Sequence, residues 1–313
     1  LTLGDAVKKM RGKPKTKIIL TVVRQGESEP LVFTIIRDII QIQSVKSEVL
    51  EDSVAYVRIT QFQEKTGLKL AEALKKRFVE VDNNVDGIIL DLRNDPGGLL
   101  NSAVAVTSAF IPENTLVVYT EGRVRNSSMK LFSRPEHYLR SGSKNYLADL
   151  PEKTKTVPMV VLINNGSASA SEIVAGALQD HSRAVIMGTQ SFGKGSVQTI
   201  LPLNNGTAIK LTTARYFTPK GRSIQAKGIT PDIVVSQATI QEDDESKFQV
   251  SEKDLSRALD TDKPSDNSEQ SVDDSTNNAD NKPVQPNSIV NPNDYQLNQA
   301  LNLIKALNIT NKM

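Results

Sequence analysis

Twice in this chain an apolar run of strand length breaks on a glycine- or serine-rich turn and resumes as a helical segment, and that alternation constrains the fold most. The first run, Asp86 to Arg93, carries Ile88, Ile89, Leu90 and Leu92, turns through Pro96-Gly97-Gly98 and continues as Leu99 to Phe110. The second, Pro158 to Ile163, turns through Asn165-Gly166-Ser167-Ala168-Ser169-Ala170-Ser171 and continues as the Ala-rich segment Glu172 to Asp180. Before them, Val54 to Phe62 reads as a strand. Gly67 to Val81 reads as an amphipathic helix with Leu68, Leu70, Leu74 and Phe78 along its apolar side. Strands alternating with helices predict an α/β core.

The serine turn also has chemical meaning. A serine at the mouth of a strand-to-helix turn stands beside the free N–H groups of a helix N-terminus, which attract negative charge developing on a carbonyl oxygen. Serines there also serve simply as N-caps, so the turn needs context. Context comes from Ser191-Phe192-Gly193-Lys194-Gly195-Ser196-Val197-Gln198, which follows the apolar strand Ala184 to Gly188 and leads into the strand-like Val197 to Leu203. Period-two alternation would place Lys194, Ser196 and Gln198 on one face, with the glutamine amide orienting the amine. An unperturbed lysine titrates near ~10.4, so a role as general base requires a dry pocket that costs its charged form about 3 to 4 kcal/mol. A solvated surface charge is the plainer reading of any lysine.

Taken in order, four phrases resemble the carboxyl-terminal processing proteases, serine peptidases that carry a PDZ domain and a Ser-Lys dyad. They are Asp91-Leu92-Arg93-Asn94-Asp95-Pro96-Gly97-Gly98, Gly166-Ser167-Ala168-Ser169-Ala170-Ser171-Glu172-Ile173, Phe192-Gly193-Lys194-Gly195 and Tyr216-Phe217-Thr218-Pro219-Lys220-Gly221-Arg222-Ser223-Ile224. The resemblance implies Ser169 as nucleophile, Lys194 as base and Gln198 as the residue that orients it. It also implies an oxyanion hole from the backbone N–H of Ala170 with that of Gly97 or Gly98, and a core similar to the Clp-protease and crotonase fold. The expected activity is endoproteolysis of proteins recognised by their free C-termini, in the bacterial periplasm or cell envelope, with no cofactor. An adaptor protein and a homo-oligomer are the further partners considered.

Composition narrows the alternatives. Cysteine is absent, which excludes a thiol nucleophile and a disulfide framework. The two histidines, His137 and His181, are the sole candidates for a Ser-His-Asp triad. His181 reads as a helix C-terminal residue a helix length from Ser169, and His137 as part of a polar loop. No His and Cys cluster has metal-ligand spacing, so no metal is expected. Aromatic residues make up 4% of the chain without basic interleaving, which disfavours nucleic acid. A competing reading is a nucleotide site, since Gly188-Thr189-Gln190-Ser191-Phe192-Gly193-Lys194 matches phosphate-loop spacing; Gly195 replaces the hydroxyl residue and a strand replaces the helix that such a loop needs. A non-catalytic peptide-binding scaffold is the third reading.

Four domains are expected. Residues 1–40 resemble the second half of a PDZ domain, with a helix over Leu1 to Met10 stopped by Gly12 and strands at Thr16 to Arg24 and Leu31 to Arg37 around a Gln25-Gly26 turn. The chain is therefore read as a fragment of a longer precursor, with any signal peptide or membrane anchor upstream. Residues 41–240 form the peptidase core, in which the polar stretch Glu121 to Leu150, with Arg123, Arg125, Lys130, Arg134 and Arg140, is either a strap over the site or a plain surface loop. Residues 241–290 are expected to be an acidic disordered linker, since Glu242 to Lys282 holds thirteen acidic and five basic residues in a chain of net charge +2. Residues 291–313 carry a helix with Leu297, Ala300, Leu301, Ile304 and Leu307 on one side, capped by Asn293 or Asp294, whose stripe docks either on its own body or on another subunit, self-association being the favoured expectation.

Overall fold

The structure is a computed structural model that describes residues 2–24, 26–39, 43–51, 53–122, 128–238 and 289–311. It divides into two compact units, residues 1–43 and 44–313. In the first, α1 (Leu3–Met10) is capped by Thr2, whose hydroxyl oxygen accepts the Asp5 N–H at 3.2 Å. Antiparallel β1 (Lys17–Val22) and β2 (Leu31–Ile36) follow, paired from Lys17 with Ile36 to Val22 with Leu31. The Arg37 guanidinium donates to the carbonyls of Met10 and Lys9 at 2.8 and 3.2 Å and to that of Lys17 at 3.2 Å, which pins the helix end to the hairpin. Gln25, half of the expected turn, lies outside the described residues.

The second unit runs β3 (Val45–Leu50), β4 (Val54–Ile59), α2 (Thr66–Glu80), β5 (Gly87–Asp91), α3 (Leu100–Ser108), β6 (Leu116–Gly122), β7 (Met129–Phe132), α4 (Pro135–Tyr138) and α5 (Lys153–Thr156). It continues as β8 (Met159–Ile163), α6 (Ala170–Asp180), β9 (Val185–Gly188), β10 (Ser196–Pro202), β11 (Ala208–Phe217), β12 (Ile233–Val234) and α7 (Tyr295–Asn311). Six strands form one sheet in the order β12-β9-β8-β5-β4-β3, parallel except for the antiparallel edge strand β3. A second, antiparallel sheet has the order β10-β11-β6-β7.

Side-chain parity explains why β5 and β8 read as continuous apolar runs. Alternate residues of the six-stranded sheet face opposite ways, so both faces need a cover. Ile88, Leu90, Val161 and Ile163 join the core built with α2, α3 and α6, through Leu70, Leu74, Phe78, Val104, Ile173 and Val174. Ile89, Val160 and Leu162 join a second core with Val54, Tyr56 and Met187, closed by Leu297, Ala300, Leu301 and Ile304 of α7. The fold is thus a mixed α/β structure with a helix on the sheet face opposite α2, α3 and α6.

The position of α7 corrects the expectation of self-association. Its apolar stripe is buried on its own sheet, where Gly87 leaves the needed space: a Cβ there would come within 2.4 Å of Ile304 Cγ2. Asp294 caps the helix by accepting the Leu297 N–H at 3.2 Å and also receives two bonds from Arg93, at 2.9 and 2.7 Å. Arg93 in turn holds Asp91 through Nη2 at 2.8 Å, and the Tyr56 hydroxyl donates to that carboxylate at 2.8 Å.

The expected acidic segment lies outside the described residues apart from its last two positions, as do Arg123 and Arg125. The rest of Glu121 to Leu150 has elements of its own, β7 and α4, so His137 sits in a short helix and not in a loop. Tyr138 is buried, with Tyr146, Leu147 and Leu150 packed against the main core. No helix among the described residues is long and apolar enough to cross a membrane.

Candidate active site

Because β5 and β8 are parallel neighbours, the turns that follow them leave the same sheet edge side by side, the usual place for a site in an open α/β sheet. Hydrogen bonds lace the two turns together. Asn164 Oδ1 accepts the Asn94 N–H at 2.9 Å while Asn164 Nδ2 donates to Asn94 Oδ1 at 3.0 Å. The Ser167 hydroxyl donates to the Leu92 carbonyl at 2.8 Å, and the Ala168 N–H and Ser171 hydroxyl donate to the main-chain carbonyl of Asp95 at 3.0 and 2.9 Å.

Ser169 is half-buried at the N-cap of α6 with φ 57° and ψ −110°. A non-glycine residue held there costs about 1 to 3 kcal/mol of backbone strain, a cost met by the surrounding structure and frequent at nucleophile-bearing turns. Gly97 abuts it so closely that a Cβ would lie 2.9 Å from Ser169 Cβ, 2.8 Å from Ala170 N and 2.4 Å from the Ala168 carbonyl oxygen. The two candidate glycines differ in availability. The Gly97 N–H donates to Asp95 Oδ1 at 2.8 Å, whereas the N–H groups of Gly98 and Ala170 meet no acceptor among the described residues. Asp95 itself is fully buried; its Oδ2 has no partner among the described residues, and burial pushes its carboxyl up to about 7 against the opposing Gly97 N–H bond.

Sequence reasoning passed over the residue that joins the serine turn to the lysine loop. Glu172, fully buried in the first turn of α6, accepts four hydrogen bonds. Its Oε2 takes the Ser169 N–H at 2.7 Å and the Lys194 N–H at 2.9 Å; its Oε1 takes the Ser191 hydroxyl and the Gly193 N–H, both at 2.6 Å. Two donors on one oxygen are at most about 6 Å apart, so the backbones of Ser169 and Lys194 are close neighbours. The available signal was the spacing Ser169-x-x-Glu172, a capping box whose glutamate reaches back to the N-cap amide.

Lys194 and Gln198 are placed less simply. The Lys194 side chain is exposed, so the dry pocket expected around its amine is not formed in this conformation, and no hydrogen bond joins it to Ser169 among those of the described residues. Strict alternation also fails, because Lys194 precedes β10 and a register shift falls between Val197 and Gln198. Gln198 Nε2 donates to Thr212 Oγ1 at 2.6 Å and not to the lysine. In this arrangement the glutamine ties β10 to β11 across the irregularity.

The histidines stay apart from the turn. His181 is the C-cap of α6, where its Nε2 pairs with the Leu116 carbonyl at 2.7 Å. His137 Nδ1 pairs with the backbone of Phe132. The nucleotide reading also loses its donors, since the amides of Gly193 and Lys194 are spent on Glu172 and strand β10 follows where a phosphate loop needs a helix. Among the described residues no group of three or more His, Cys, Asp or Glu side chains could hold a metal ion.

Known proteins resemble this chain over much of its length. The sequence model described as peptidase family S41 matches residues 53–235. A carboxy-terminal-processing protease of Bartonella bacilliformis is 50% identical over 237 residues, covering 75% of this chain and 51% of that protein. A carboxyl-terminal-processing protease of Synechocystis is 38% identical over 245 residues, covering 77% and 52%. The chain thus spans about half the length of the curated relatives it matches. Among solved structures, a photosystem II D1 C-terminal processing protease aligns with TM-score 0.50 and 26% identity over 75% of this chain and 60% of that one. Two interlocked strand-to-helix turns, a serine on the second and a lysine loop held against it therefore have a family to go with them: the chain belongs to peptidase family S41, among the carboxyl-terminal processing proteases.

Proposed function

We propose that the chain is the catalytic part of a serine endopeptidase that cuts proteins presented by their free C-termini, with Ser169 as nucleophile and Lys194 as general base. The observation that carries this reading is the shared oxygen of Glu172, which holds the main chains of Ser169 and Lys194 beside each other. A lysine side chain is long enough to span the remaining gap. Substrate seated over the exposed Lys194 would remove water from the amine and favour its neutral form.

In the reaction the neutral amine takes the Ser169 hydroxyl proton as the oxygen attacks the scissile carbonyl. The free N–H groups of Ala170 and Gly98 receive the developing oxyanion, and Gly97 is excluded as donor while Asp95 holds its amide. The ammonium returns the proton to the leaving amine as the C–N bond breaks, leaving an acyl-enzyme. Water, deprotonated by Lys194, then releases the acid and restores the hydroxyl. Gln198 orients the lysine in this reading once it exchanges its Thr212 bond for one to the amine. No cofactor takes part.

The first unit serves as the second half of a PDZ-type module, and the core is of the Clp-protease and crotonase type. The site of action is the bacterial periplasm or cell envelope. The test is digestion of an unfolded reporter ending in apolar residues by the wild type, Ser169→Ala and Lys194→Ala. Both variants lose cleavage by at least about a thousandfold if the dyad is right. Cleavage retained by either one refutes it, and binding of ATP would revive the nucleotide reading.

A further inference from the structure

We propose that Glu172 is a positioning residue that closes the Ser169 turn and the Lys194 loop as one body, so that nucleophile and base move together or not at all. This rests on the proteolytic reading for its consequence but not for its geometry. Four donors converge on one fully buried carboxylate, two from the loop amides of Gly193 and Lys194, one from the Ser191 hydroxyl and one from the amide of the nucleophile itself. Hydrogen bonds to a carboxylate are stronger than those to a neutral acceptor, and the Glu172 side chain is shut off from bulk solvent.

The bond pattern separates bracing from ordinary capping. A capping glutamate needs only the N-cap amide, which here is Ser169 N–H. The other three donors come from nineteen to twenty-two residues further along the chain and belong to the loop that carries the base. Ser191 continues the chain of contacts outward, because its Oγ accepts the Ile229 N–H at 2.7 Å while donating to Glu172 at 2.6 Å. A Cβ at Gly228 would come within 2.7 Å of that same Oγ, so the segment after β11 packs directly against the brace. Glu172 touches no substrate in this scheme; it sets where the two reacting side chains start.

The test is Glu172→Gln, which keeps the shape and turns an amide NH2 towards donors on one of the two oxygens. Hydrogen exchange reads the brace directly: the amides of Ser169, Gly193 and Lys194 are expected to lose protection together, by at least about tenfold, while the strands β5 and β8 keep theirs. Turnover reads its use: kcat per titrated active site is expected to fall by about 100-fold with KM within about twofold, since misplacement by about 1 Å costs that much in chemistry. Ser191→Ala, which removes one of the four donors and leaves the carboxylate with its three amide bonds, is expected to lose much less turnover than Glu172→Gln, and an equal loss overturns the proposal. Unchanged protection at Gly193 and Lys194 overturns the proposal, as does a loss of activity accounted for by a smaller folded fraction. A wild type that cleaves nothing while the three amides still respond sinks the proteolytic reading and leaves the brace standing.

Discussion

Asp95 makes the pH dependence of stability a direct reading of the Pro96-Gly97-Gly98 turn. Its carboxyl is fully buried, holds the Gly97 N–H at 2.8 Å through Oδ1, leaves Oδ2 without a partner among the described residues, and titrates at about 7 when folded against 3.8 as the ordinary value. The folded state therefore binds the proton more tightly than the unfolded chain, so this group stabilises fully below about 4 and loses its contribution as pH rises through 7. At 1.36 kcal/mol per decade, a displacement of about three decades sets a ceiling of about 4 kcal/mol, and relaxation of the turn brings the expected value to about 2 to 4 kcal/mol. Asp95→Asn keeps an oxygen for Gly97 and cannot ionise. Urea unfolding followed by far-UV circular dichroism, suited to a chain without tryptophan, gives both stabilities from pH 4 to 8. The difference between variant and wild type should be small at pH 4, swing in favour of Asn by that amount up to pH 8, and level off above about 7. A difference that stays flat within about 0.5 kcal/mol across the range would show that Asp95 is not the buried acid described here.

Two further outcomes follow from close contacts. Gly98→Ala should abolish cleavage and lower stability by about 3 kcal/mol or more, because the residue sits at φ 154° and a Cβ would come within 2.0 Å of the Phe62 carbonyl oxygen; activity and melting temperature measured together check it, and an active, fully stable variant refutes the close approach. Ile304→Ala in α7 should cost about 2 to 5 kcal/mol in chemical denaturation without changing the mass measured by light scattering, since the side chain is buried on its own sheet; a change in oligomeric state with no loss of stability would return α7 to an intermolecular role.

What was legible in the sequence follows burial. β5 and β8 were readable as strand-length apolar runs, and α2, α3 and α6 as the helical segments that follow a strand and its turn. β3 was missed because Lys46, Ser47 and Glu48 interrupt its apolar positions, as suits an edge strand. β11 was missed because Lys210, Thr212, Thr213 and Arg215 give no buried face over most of its length. For α7 the stripe and its cap were readable, but not its partner. A strand apolar on both faces announces that two covers exist without saying which segments supply them, so Val160 and Leu162 gave no hint of Leu297 and Leu301. At the candidate site, the two strand-turn-helix contexts were readable locally, while the choice of Ser169 among the serines and of the glycine turn as its partner rested on the family resemblance. Glu172 did not, because a first-turn glutamate looks the same whether it caps one amide or gathers three more donors from a distant loop.

The unusual main-chain angles of Ser169 make the direction of its hydroxyl hostage to a turn that does not contain it. Left to itself, the peptide at 169 would relax to an ordinary helical or extended shape and swing the oxygen elsewhere. What prevents this are Asn94 and Asp95, more than seventy residues earlier, which grip Asn164, Ala168 and Ser171. Substitutions in the turn after β5 can therefore re-aim the Ser169 oxygen without touching it and, with Ser169 as the proposed nucleophile, would register as lost catalysis in a molecule that still looks folded.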